Sequence, residues 1–120
     1  MTDEALPVLD QAQVADLLAL DQGKGALFAK FVGLFIDATP ARIQKMRAQS
    51  ESADLVALAN SAHSLRGTAG NVGAVRLSSV LERIESAAKG GDSGRAIQAV
   101  GLLEAEFAAA RAALFVASNA

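Results

Sequence analysis

Cysteine is absent from the 120 residues, which excludes disulfides and thiolate metal sites. Tyrosine and tryptophan are absent as well, and histidine occurs once, as His63. A metal site built from several imidazoles is therefore impossible, and a Ser-His-Asp triad would have only His63 to build on. Two prolines, and no long alternating run of β-branched residues, leave little to interrupt helices or to build strands. Charge of one sign is lacking too: 11 basic and 13 acidic residues give a net charge of −2. That balance offers no electrostatic case for nucleic acid or for an anionic membrane. No apolar stretch reaches the roughly 18–20 residues of a membrane span. The acidic start, Met1-Thr2-Asp3-Glu4, lacks the basic-then-apolar layout of a signal peptide. A soluble, cytoplasmic and monomeric protein is expected, with ends like those of a free-standing chain.

What is present is helix-forming material. Hydrophobic residues make up 52% of the chain, much of it Ala and Leu, which suffices for one core and one domain over residues 1–120. Asp10 followed by Gln13 has the form of a capping box opening a short first helix, with Val14, Leu17 and Leu18 apolar. A second helix is predicted over residues 24–50, with Leu27, Phe28, Phe31, Val32, Phe35, Ile36, Ile43 and Met46 apolar. Pro40 lies inside it. Because the apolar stripe resumes without a polar loop, a kink in one long helix fits better than a new helix starting at Pro40. The third helix begins near Ser52, with Leu55, Leu58, Ala62, Leu65, Ala69 and Val72 at steps of three and four. Gly70-Asn71-Val72-Gly73 ends it. The fourth carries Leu77, Val80, Leu81, Ile84, Ala87 and Ala88, and stops at Lys89-Gly90-Gly91. A last helix, capped by Asp92 or Ser93, buries Ile97, Val100, Leu103, Phe107, Ala110 and Leu114. The expected fold is all-α: an antiparallel four-helix bundle with a short additional N-terminal helix lying across one end.

The chemistry is concentrated around His63. At 100° per residue the imidazole points about 130° away from the centre of the third helix's apolar stripe, so it is expected to be exposed. Ala59, Gly67 and Gly70 share its face at i−4, i+4 and i+7. Glycine inside a helix costs about 1 kcal/mol relative to Ala, and Gly67 faces away from the core, so open access to the imidazole explains it better than close helix contact. Arg66, one turn on, can reach a group attached to the ring. A neutral imidazole is a competent nucleophile near neutral pH. Phosphoryl transfer needs little beyond alignment and charge stabilisation, so an exposed imidazole with a nearby cation suits it.

The run His63-Ser64-Leu65-Arg66-Gly67-Thr68-Ala69 carries the further pattern. It continues through Gly70-Asn71-Val72-Gly73-Ala74 and then Leu77, Leu81, Ile84 and Glu85. Here the sequence resembles the histidine phosphotransfer (HPt) domain family of multistep two-component phosphorelays, with the signature over residues 62–85. The resemblance implies that His63 is the phosphorylated residue, that Arg66 stands where Lys is commoner, and that Gly67 lets a partner approach. It implies a phosphocarrier, not an enzyme, loaded by the phospho-Asp of one receiver domain, as in a hybrid histidine kinase, and discharged to another on a response regulator. The receiver brings the Mg²⁺, so no cofactor is expected on this chain. No Gly-rich phosphate loop accompanies the motif, and direct transfer from ATP is not expected.

Two rival readings can be weighed from the same residues. The turn at residues 70–73 between two helices loosely mimics a helix-turn-helix, but Arg76, Arg83 and Lys89 alternate with Glu82 and Glu85 and form no basic stripe. A pure adaptor, docking on receiver or kinase domains without chemistry, is opposed by the presence of His63, Arg66 and Gly67. Docking is expected to use apolar side chains as well as charge: Val56, Ala59 and Gly70 near the His63 face, and Leu17 or Leu18 of the first helix.

Overall fold

The structure, a computed structural model, describes residues 6–118. Six helices follow one another: α1 (Gln11–Ala19), α2 (Ala26–Glu51), α3 (Leu55–Asn71), α4 (Val75–Lys89), α5 (Ser93–Val100) and α6 (Leu103–Ser118). No strand occurs among the described residues. Helices α2, α3 and α4, with α5 and α6 together as the fourth member, form an antiparallel four-helix bundle. At about 1.5 Å per residue α2 is about 39 Å long, and it runs most of the 45 Å long axis of the molecule.

The last bundle member differs from the single helix expected. The stripe Ala96, Ala99, Val100, Leu103, Phe107, Ala110 and Leu114 is buried in phase from end to end, which is why it reads as one helix. At Gly101 and Leu102 the chain tightens, Leu102 N–H turning back to the Ala99 carbonyl at 3.0 Å. Glycine is a poor helix former and gives way there. Ile97, expected inside, is exposed because Ala96 occupies the buried phase. Phe31 of α2 is exposed for the same kind of reason. The buried stripe there runs through Phe28, Val32, Phe35, Thr39, Ile43 and Met46, leaving Phe31 and Leu34 on its flank.

Each junction has a local cause. The Asp10 carboxylate accepts from the N–H groups of Ala12 and Gln13 and starts α1. The reciprocal half of the expected capping box does not form. The Asp10 N–H already donates to the Gly73 carbonyl at 2.8 Å, and the Gln13 amide donates instead to the Asn71 carbonyl at 3.1 Å. Both bonds fasten α1 across the α3–α4 turn. Gly73 itself is required by that contact: its φ is +81°, and a Cβ would come within 3.1 Å of Val14 Cγ2 and 3.2 Å of the Asp10 carbonyl oxygen. At the start of α2 the Asp21 carboxylate accepts from the N–H groups of Gly25, Ala26 and Leu27. Desolvation opposes its charge, yet these three donors prevail and hold the carboxyl below the usual range. The chain passes through Pro40 without leaving α2, so one long helix is the correct reading.

Candidate functional site

His63 stands in the middle of α3, its side chain 65% exposed. No atom lies within 4 Å of where a Cβ would sit on Gly67 or on Gly70, so the approach over this face is open. The row Ala59, Ala62 and Arg66 runs along one flank of α3 at steps of three and four. Arg66 on that row faces Glu85 of α4 across the seam, which places the small residues Ala59 and Ala62 under α4. Both are buried. The short side chains let α4 come close enough for its carboxylate to reach the histidine.

Glu85 Oε2 lies 3.0 Å from His63 Nδ1 and 2.8 Å from Lys89 Nζ, while Oε1 lies 3.5 Å from Arg66 Nη2. An ionised carboxylate can only accept, so Nδ1 carries the proton and donates to Oε2. Arg66 Nη2 is also 3.5 Å from Nδ1, but a protonated Nδ1 cannot accept, and the guanidinium therefore acts on the carboxylate. The tautomer follows: Nε2 keeps its lone pair, and no group among the described residues bonds to it. The Glu85 side chain is 7% exposed, and Oε1 has no hydrogen-bond partner. The Lys89 hydrogen bond, with help from His63 and Arg66, outweighs desolvation and holds Glu85 below the ordinary carboxylate range. Two cations thus converge on one buried carboxylate beside an exposed nucleophilic nitrogen. The site has excess positive charge where an incoming phosphoryl group would bring negative charge.

His63, Arg66, Gly67 and Gly70 come together as the sequence predicts. Val56, two turns before His63, is 77% exposed. Ala59 and Leu17 are corrected: Ala59 lies in the α3–α4 seam and Leu17 in the core, so neither can meet a partner. Leu18 is half-buried against that core, and the exposed leucine of the first segment is Leu20. Glu85 and Lys89 had no predicted role. No acid lies at i±3 or i±4 of His63; this one comes from the next helix. The available signal was a glutamate adjoining the apolar stripe of α4 with a lysine at i+4. His63 and Glu85 make a pair only; among the described residues no group of three or more His, Asp or Glu side chains could hold a metal ion.

A sequence model of the Hpt domain matches residues 30–113. Among solved structures, the chain is similar to histidine-containing phosphotransfer protein B from Pseudomonas aeruginosa PAO1. The two are 26% identical, with a TM-score of 0.83 over 96% of this chain and 97% of that one. A rice protein described as a histidine-containing phosphotransfer protein shares the fold at 18% identity and a TM-score of 0.79, over 93% of this chain and 80% of that one. No curated protein matches.

Proposed function

Because the chain belongs to the Hpt domain family of phosphorelay phosphocarriers, we propose that His63 accepts a phosphoryl group from the phospho-Asp of one receiver domain and passes it to the Asp of another. The observation that carries this reading is the 65% exposed imidazole tied at Nδ1 by Glu85 at 3.0 Å. With Nδ1 committed, the Nε2 lone pair attacks phosphorus and the acyl-phosphate P–O bond breaks, its electron pair returning to the aspartate carboxylate. The Nδ1 proton stays in place, and the buried Glu85 carboxylate balances the positive charge of the phosphorylated ring. Arg66 and Lys89, drawn to Glu85 in the resting site, stand ready to face the phosphoryl oxygens. Glu85 is a positioning residue here, since it acts through the imidazole. The divalent cation that such transfers use would be brought by the receiver. Gly67, Gly70 and Val56 form the face over which that receiver settles. No helix among the described residues is long and apolar enough to cross a membrane.

The test is transfer from phosphorylated receiver domains of the same organism, followed by mass spectrometry under non-acidic conditions. Wild type should gain one phosphoryl group, and His63→Gln should gain none while keeping its helical signal and melting temperature. Normal labelling of His63→Gln overturns the assignment. A wild type that binds receivers and stays unlabelled would be an adaptor.

A further inference from the structure

On the α2 side of the His63 face, two cations have no carboxylate to answer them among the described residues. Arg42 and Lys45 of α2, with Asn60, Ser61 and Ser64 of α3, line a cleft of about 270 Å³ that contains no acidic residue. The Arg42 guanidinium reaches Thr68 Oγ1 at 3.5 Å, and Lys45 has no ion-pair partner among the described residues. Several surface cations elsewhere are matched, among them Arg47 with Glu104, Arg76 with Glu106 and Arg95 with Asp92. In a chain of net charge −2, this cleft places two cations side by side with no acid in its lining.

Its position relates it to the transfer site. Asn60 and Ser64 lie about 60° and 100° round α3 from His63, so the cleft opens on the same exposed side. A transient interface of up to about 600 Å² on each partner is a patch wider than a helix. A receiver seated over His63 and the α2 side of α3 covers Arg42 and Lys45 too. It must then bring carboxylates to them or bury two unpaired charges. Arg42 also lines the neighbouring depression that holds the exposed Phe31 and Leu34, so the basic cleft continues into an apolar one along the α2–α3 seam.

We propose that this groove orients and selects the partner, its basic end binding carboxylates on the receiver surface beside the phospho-Asp. The proposal rests on His63 as phosphoacceptor and adds the surface that decides which receivers dock productively. The full chain is assayed with the receiver, from the same organism's set, that transfers fastest to wild type. Arg42→Glu/Lys45→Glu should lower the transfer rate at sub-saturating receiver at least about tenfold at low salt. The rate at saturating receiver should hold, and the salt dependence seen with wild type should flatten. Arg42→Gln/Lys45→Gln should fall between the two. Labelling of His63 by phosphoramidate, a donor too small to use the groove, should be unchanged in every variant, and an unchanged melting temperature reports an intact fold. Wild-type rates and salt dependence in the charge-reversed protein would overturn the proposal. Loss of phosphoramidate labelling in wild type would overturn the His63 reading itself, a result separable from failure of the groove.

Discussion

At Gly67, stability and chemistry pull in opposite directions. The residue lies inside α3, exposed, with nothing within 4 Å of the place a side-chain methyl would occupy. Gly67→Ala should therefore stabilise the bundle by up to about 1 kcal/mol, through helix propensity and a more restricted unfolded chain. Gly67→Gln should also melt at or above the wild-type temperature, since its side chain can extend into water. Yet the glutamine stands one turn from His63, in space the receiver must enter. Displacing the reacting atoms by about 1 Å costs on the order of 100-fold in rate, and the Gln variant should transfer correspondingly slowly. Thermal melts and single-turnover transfer decide it. Destabilisation by both substitutions would make Gly67 a packing residue, and wild-type transfer by the Gln variant would show that open access is not needed.

Among the elements, three helix ends repeat one motif. At the ends of α2, α3 and α4 the N–H groups of Asp54, Ala74 and Asp92 donate to the carbonyls of Gln49, Ala69 and Ala87 at 2.9 Å. Those of Ala53, Gly73 and Gly91 donate to Ser50, Gly70 and Ala88. This is the Schellman arrangement, whose penultimate residue must adopt positive φ. Gly73 and Gly91 do so at +81° and +75°, whereas the α2 end uses Ala53 at +56°. An alanine there is strained where glycine is not. Ala53→Gly should raise stability by about 0.5–1 kcal/mol at equilibrium in urea, with transfer unchanged because the turn is remote from His63. A loss of stability would mean that glycine's unfolded-state entropy outweighs the relief of strain.

For the molecule as a whole, the buried Glu85 ties α3 to α4 and should shape the acid limb of stability. Its carboxyl is held below the ordinary value of 4.5, first by Lys89 and then by His63 and Arg66 against desolvation. A group depressed in the folded state contributes stability above its unfolded value and loses it as pH falls through its folded value. Wild type should thus lose stability below about pH 4.5, with Asp21 adding to the loss. Glu85→Gln should be less stable than wild type at neutral pH, and the gap should shrink in acid well below pH 4.5, as the wild-type carboxyl loses its charge as well. Urea midpoints at neutral and at acid pH test this; a gap of equal size at both would assign Glu85 a role independent of its charge.

Much of this was legible before any fold was known, and the division has a physical basis. Within one helix, spacing fixes direction at 100° per residue. So the exposure of His63, its company with Arg66, Gly67 and Gly70, the Asp10 and Asp92 caps, and the continuity of α2 through Pro40 all follow from local order in the chain. The helices, their apolar faces and the exposed imidazole needed nothing more than that order. Periodicity is silent, however, on which neighbour covers a helix's flanks. Glu85 is 22 residues from His63 and meets it only because small residues let α4 settle against α3. That same approach buries Ala59, the packing of α1 on the core buries Leu17, and the α3–α4 turn diverts Gln13 from its cap. On the other flank, α2 brings Arg42 to Thr68. The tautomer of His63, the cations held beside it and the basic groove come from the relative rotation of helices, which depends on contacts between residues far apart in the chain.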